Sequence, residues 1–161
     1  HKKVPISSQI ARIICYSSGM KIRVKRFDKD LPLPEYKTAG AAAMDCYARE
    51  QTIVESKSVA YVPVNVALKL PRGHFVLLVA RSSLHKRGLV LANGIGIGDE
   101  DFSGETDEYK AALYNLTDTP VQIEKGERLA QMMVLPFDRV EWEEVDSLDT
   151  ESRGGFGTTG K

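Results

Sequence analysis

The chain is short of the features that most quickly assign a protein to a class. Cysteine occurs only twice in 161 residues, at Cys15 and Cys46, without CxxC spacing. Two isolated cysteines support neither a disulfide framework nor a zinc site and suit a reducing cytoplasm. Charge of one sign is missing as well, since 22 Lys and Arg stand against 22 Asp and Glu. A general nucleic-acid binder would be distinctly basic, so no nucleic-acid partner is expected. No apolar run approaches the ~20 residues of a membrane span, and no membrane partner is expected. His74 and His85 are too isolated to suggest a metal centre or a catalytic triad. The chain has no internal repeat, and Asn115-Leu116-Thr117 fits a glycosylation sequon with nothing else to indicate secretion.

What is present reads as β-structure. At 161 residues the chain is one domain of ordinary size with room for a real core. Residues 1–19 mix Lys2, Lys3 and Arg12 with a few apolar residues, without a signal peptide's long apolar stretch or clear cleavage site. They are expected to be an N-terminal extension or remnant, with Met20 as the functional start. From there, short apolar or β-branched segments alternate with turn residues. Strands are expected over 21–27, within 52–66, and over 75–80, 109–116, 121–124 and 128–137. The run at 75–80 is continuous and short enough for a strand buried on both faces. Residues 83–87 could form one helical turn. Many short strands at about 8–12 residue spacing indicate an all-β sandwich or barrel over residues 20–150. Residues 151–161 hold too little apolar surface to fold alone.

Four places carry possible chemistry. In residues 93–105, NGIGIGDEDFSGE, three alternating glycines leave one side of the backbone bare, and a flat ligand could lie there. Asp99, Glu100, Asp101 and Phe102 follow, a combination that suits a small polar, planar molecule needing a metal or a base; an ordinary hairpin with an acidic turn is equally compatible. Arg81, Ser82 and Ser83 offer an anion fork and hydroxyls at the start of the possible helical turn, although either serine could serve only as a cap. Asp45 lies in an otherwise apolar strand, so it is either paired with an arginine or turned toward a polar site. Residues 125–128 read as a tight turn into a strand that places Gln131 on one face. The tail, Arg153 and Phe156 among glycines and threonines, is either frayed or an arm suited to close over an anion and a flat ring.

Taken in order, these segments resemble the five motifs of the trimeric dUTP diphosphatase (dUTPase) family: residues 42–47, 80–84, 93–105, 125–131 and 153–160. The resemblance covers residues 20–161. It implies a distorted jelly-roll β-barrel or sandwich, a homotrimer with shared active sites, and a flexible C-terminal arm over 151–161. It further implies that Asp99 activates the water that attacks the α-phosphorus of dUTP. Asn93 and the backbone of Gly96, Ile97 and Gly98 would read uracil, and Phe102 would pack on the deoxyribose and exclude a 2′-hydroxyl. Arg81, Ser82, Ser83 and Gln131 would hold phosphates. Arg153, Phe156, Gly157 and Thr158 would close the site. The implied cofactor is Mg2+, held mainly by the triphosphate and waters, with no direct protein ligand and with Asp45 at most acting through water.

The chain departs from the family pattern at Phe102, usually Tyr; at Gly98, usually Ile; and at Ser83 and Ala43, usually Gly. Gly98 loosens the backbone next to Asp99. Arg-Ser-Ser also resembles dCTP deaminase, a relative on the same fold. That enzyme needs a glutamate two residues before a Tyr-Asn pair, and the position here is Ala112, which cannot shuttle a proton. Glu105 or Glu108 could stand in. A trimeric β module that binds a nucleotide without turnover is the non-enzymatic alternative.

Overall fold

A computed structural model describes residues 19–155 of the chain. Eleven strands make up nearly all its regular structure: β1 (Arg23–Arg26), β2 (Met44–Tyr47), β3 (Thr52–Val54), β4 (Val59–Pro63), β5 (Val66–Lys69), β6 (His74–Ala80), β7 (Leu89–Leu91), β8 (Gly96–Gly98), β9 (Lys110–Asn115), β10 (Val121–Ile123) and β11 (Arg128–Pro136). Every pairing is antiparallel. A four-stranded sheet runs β2-β11-β6-β8, a three-stranded sheet runs β4-β9-β7, and β1-β5 and β10-β3 are two-stranded ribbons. Among the described residues no helix is long and apolar enough to cross a membrane.

The sheets share one core. Cys46, Val76, Leu78, Ala130 and Met132 from the four-stranded sheet join Val62, Ala111, Leu113, Leu89 and Leu91 from the three-stranded one. Alternation along each strand produces this: on β9, Ala111, Leu113 and Asn115 turn inward while Lys110 faces solvent. The expectation that the 75–80 run is buried on both faces needs correction. Only Val76 and Leu78 are buried, and Phe75, Leu77, Val79 and Ala80 keep partial exposure. The run is apolar on both faces, but within one chain only one face meets the core.

The helical turn at 83–87 is a short 3-10 turn, Leu84–Arg87, stopped by Gly88 in the left-handed region (φ 69°). Asn115 is wholly buried, and its amide donates to the carbonyls of Val54 and Thr119 at 2.9 and 2.8 Å. Its oxygen accepts from Thr117, so the apparent sequon is a structural corner. The Cys46 thiol is buried, and loss of hydration pushes its pKa well up, leaving it inert.

Candidate active site

The site begins with an irregularity in β11. Arg128 pairs with Tyr47, yet Ala130 pairs with Cys46, so Leu129 is an extra residue that bulges the strand. Leu129 and Ala130 are consequently both buried. In an unbroken strand, residues three apart point to opposite faces. The bulge removes that half-step and brings Arg128 and Gln131 to one side, where both meet Asp45.

Asp45 is the hub. Gln131, directly across from it in register, donates from Nε2 to Oδ1 at 2.8 Å. Arg128 donates to Oδ2 at 3.0 Å, and Arg81 Nε lies 3.2 Å from Oδ1. The Asp45 side chain is only 4% exposed, so its charge is tolerable only because two guanidiniums face it. Of the two sequence readings, pairing with arginine is the one observed. Arg81 is fixed further by its backbone N–H, which bonds Leu129 O at 3.0 Å, and by Nη1, which donates to Arg128 O at 3.2 Å. Ser82 and Ser83 follow at the surface, and Ser83 makes no side-chain capping bond despite its cap position. Two oriented guanidiniums and one amide thus converge on Asp45, with two exposed hydroxyls directly after Arg81 in the chain; donors of these kinds suit anionic oxygens.

We expect Asp45→Ala to lower unfolding stability by about 2 kcal/mol, below the 3–5 kcal/mol of a fully dry pair because both arginines keep some exposure. A urea midpoint equal to wild type would show that the hub does not contribute to stability.

A second cluster stands at the far end of β6. Gly98 on β8 pairs with Val76, and Asp99 follows. Phe102 N–H donates to Asp99 O at 3.1 Å, which closes the acidic turn. Within that turn Glu100 is committed, accepting from Gly73 N–H at 2.7 Å. The Asp99 carboxylate is exposed and makes no ion pair or side-chain hydrogen bond among the described residues. Phe102 is 38% exposed and packs edge-on against Tyr109, with centroids 5.3 Å apart. Burial pushes the Tyr109 hydroxyl up to about 12, and the carboxylates of Asp99 and Asp107 add to the shift.

The glycine expectation is corrected in part. Gly94, Gly96 and Gly98 do not form one bare face. Only Gly94, with φ 70°, faces open space. A Cβ on Gly96 would lie 3.2 Å from Leu78 Cβ, and one on Gly98 only 2.3 Å from the Tyr109 ring. The Asn93 amide folds back over Gly96, its Nδ2 lying 3.8 Å from where a Cβ would stand. The side chains of Ile95 and Ile97 point outward and are more than half exposed.

The two clusters are apart. Arg81 lies five residues along the chain from Val76, the register partner of Gly98. At ~3.3 Å per residue, that separates the acidic turn from the cationic corner by roughly 17 Å. One chain therefore brings Arg81, Arg128, Gln131 and Asp45 together, and separately Asp99 and Phe102. Arg153 is exposed and makes no ion pair with either cluster among the described residues. Phe156, Gly157 and Thr158 lie outside the described residues.

Sequence reasoning gives no role to Arg128, which lies in plain view in the KGERLAQ segment, nor to Tyr109 or Arg49, and names Glu108 only as a stand-in acid. Glu108 is buried, accepts from Arg49 Nε at 2.8 Å and from Asn65 N–H at 2.9 Å, and so is not free to shuttle a proton. Glu105 is paired with Lys25.

An antiparallel jelly roll with a cationic corner at one end of a strand and an acidic, aromatic turn at the other defines the class. The sequence matches the dUTPase family over residues 29–160, and the chain belongs to that family. It is 39% identical over 145 residues to the deoxyuridine 5'-triphosphate nucleotidohydrolase of a Hydrogenobaculum species, covering 88% of this chain and 99% of the relative. The solved dUTPase of Streptococcus mutans superimposes with a TM-score of 0.67 at 31% identity, covering 74% of this chain and 98% of that one. A mutant dUTPase from Staphylococcus aureus phage phi11, described with a structural Mg(II) ion, shares the fold at 20% identity, with a TM-score of 0.70 over 81% of this chain and all of that one.

Proposed function

We propose that the protein hydrolyses dUTP to dUMP and pyrophosphate, and that Asp99 activates the attacking water. The observation that carries this reading is an exposed, uncommitted carboxylate beside a half-exposed aromatic ring, in a turn whose neighbouring Glu100 is tied down. Asp99 accepts a proton from water, and the oxygen attacks the α-phosphorus. The bond to the bridging oxygen breaks, and pyrophosphate leaves. Asn93 and the backbone at 96–98 read the pyrimidine edge. Phe102 packs on the deoxyribose and leaves no room for a 2′-hydroxyl.

Arg81, Ser82, Ser83 and Gln131 hold the phosphates. Because this corner stands roughly 17 Å from the acidic turn, the complete site is shared between copies in a homotrimer. Trp142 at 92% and Leu148 at 82% exposure, beyond β11, are apolar surfaces that suit cover by a neighbouring copy. We assign residues 20–150 to the domain, 1–19 to an extension and 151–161 to an arm whose Arg153, Phe156, Gly157 and Thr158 close over γ-phosphate and uracil. Deleting residues 153–161 should lower kcat about tenfold or more while leaving the melting temperature nearly unchanged; an unaffected rate would refute the lid.

The donor set fits Mg2+ carried by the substrate. Among the described residues no group of three His, Cys, Asp or Glu side chains could hold a metal, and both Asp45 oxygens already face Arg81, Arg128 and Gln131. Mg2+ keeps several waters and takes substrate phosphates readily, so a protein cage is unnecessary. When bound, it supplies neutralisation of the triphosphate and of the charge developing in the transition state. The reaction keeps uracil out of DNA and supplies dUMP for thymidylate synthesis, and the two isolated cysteines suit a reducing cytoplasm as its compartment.

The test is product analysis with dUTP and, separately, dCTP, each with Mg2+. Formation of dUMP and pyrophosphate from dUTP alone is expected. A uracil-containing product from dCTP would establish a deaminase, and no product from either would leave a nucleotide-binding module.

A further inference from the structure

Gly98 poses a mechanical problem, because a residue with unrestricted backbone dihedrals immediately precedes the proposed base. The structure contains an answer. Tyr109 enters β9 with its backbone held on both sides, its N–H donating to Val66 O at 3.0 Å and its carbonyl accepting from Val64 N–H at 2.9 Å. Its ring is only 4% exposed and lies where a side chain at 98 would go: an added Cβ would fall 2.3 Å from Cε1 and 3.0 Å from both Cζ and the hydroxyl oxygen. The same ring meets Phe102 edge-on, at an interplanar angle of 79°.

The loop that delivers Tyr109 is clamped along its length. Gly104 N–H donates to Asp107 Oδ2 at 2.7 Å, and Glu108 is fixed by Arg49 and the Asn65 backbone. An aromatic ring has only two side-chain dihedrals, so once buried it makes a stiff wall. The Tyr109 hydroxyl is buried and has no hydrogen-bond partner among the described residues. A hydroxyl in that condition is unfavourable, so it is the ring, by its contacts, that accounts for the residue's place.

We propose that Tyr109 is a positioning residue for the reaction: its ring replaces the missing side chain at 98 and holds both the strand that presents Asp99 and the ring of Phe102. The inference rests on the reading of Asp99 as the base. It predicts that a side chain at 98 and a large ring at 109 exclude each other, and that the site needs one of the two.

The experiment is a double-mutant cycle of wild type, Tyr109→Val, Gly98→Ile and the combined variant, with kcat and KM for dUTP measured well below every melting temperature. Tyr109→Val should lower kcat about tenfold or more while KM stays within about threefold, the split expected when placement of a reacting group is lost. Gly98→Ile alone should lose at least as much, because its Cβ meets the ring. The combined variant should return to within about threefold of wild-type kcat, a coupling of opposite sign to additivity. The conservative Tyr109→Phe should retain wild-type kcat and melt no lower than wild type.

An unchanged kcat in Tyr109→Val, or a combined variant no better than the worse single one, would overturn the proposal. A tenfold fall in Tyr109→Phe would transfer the role to the hydroxyl and overturn it equally. If Tyr109→Val does not fold, Tyr109→Leu takes its place in the cycle. The wild-type protein separates the two readings. Absence of dUTP turnover there would refute the base assignment, while the melting temperatures of the same four proteins would still decide whether positions 98 and 109 compensate.

Discussion

Replacing Asp99 by asparagine should lower kcat for dUTP by about a thousandfold, within the range a positioned general base contributes. Asparagine keeps the shape and one acceptor but cannot take the proton of the attacking water. The turn should survive, because it is held by the Asp99 carbonyl and by Glu100 rather than by the Asp99 side chain. The melting temperature should therefore stay close to wild type, and a non-hydrolysable dUTP analogue should bind within about threefold of the wild-type Kd. Calorimetric titration with the analogue, alongside stopped assays of dUMP release, reads both. Loss of binding together with activity would make Asp99 a structural residue.

The second large effect comes from mixing two inactive proteins. Arg81→Ala removes a guanidinium from the cationic corner, and Asp99→Asn disables the acidic turn. If each site takes its corner from one copy and its turn from another, co-assembly of the two variants at equal amounts leaves about a quarter of the sites intact, by random pairing of subunits. Neither parent alone should exceed about a hundredth of wild-type activity, so mixing should raise the rate many-fold. Coexpression with two affinity tags, followed by sequential purification and assay, isolates the mixed assemblies, in which about one site in three is intact. A mixed preparation no more active than its parents would mean that the corner and the turn never meet across a subunit boundary. Arg81→Ala also removes one of the two cations facing Asp45, so its folded state should be verified by urea titration before mixing.

Which of these features were legible in the sequence depended on whether the signal was local. Arg81, Ser82, Asp99 and Gln131 carry their chemistry in side chains embedded in short segments; Arg81 and Ser82 follow the end of β6, Asp99 follows β8, and Gln131 lies within β11. Asp45 was legible as a problem: an acid among apolar residues demands a partner, but the sequence does not say that Arg81 and Arg128 both provide one, 36 and 83 residues away. Those partners depend on pairing β2 with β11 and β11 with β6, which is set by the register of distant segments. The 75–80 run was misjudged for a related reason. An apolar strand looks doubly buried whether its second face meets its own core or remains partly open in the single chain. The glycines at 96 and 98 look like empty space because the sequence shows what a residue lacks. Leu78 at the first and Tyr109, eleven positions after the second, are what fill it.

The bulge at Leu129 has a bearing on how this chain tolerates change. The extra residue works as a half-step in a strand's two-sided count, and everything after it is addressed relative to that half-step. A different apolar side chain at 129 would preserve the count, whereas losing the position would not: Arg128 would turn to the opposite face and leave the carboxylate it shares with Arg81 and Gln131. Along residues 125–131 length is therefore held more strictly than composition, and the quantity that inheritance must copy without error there is a number of residues.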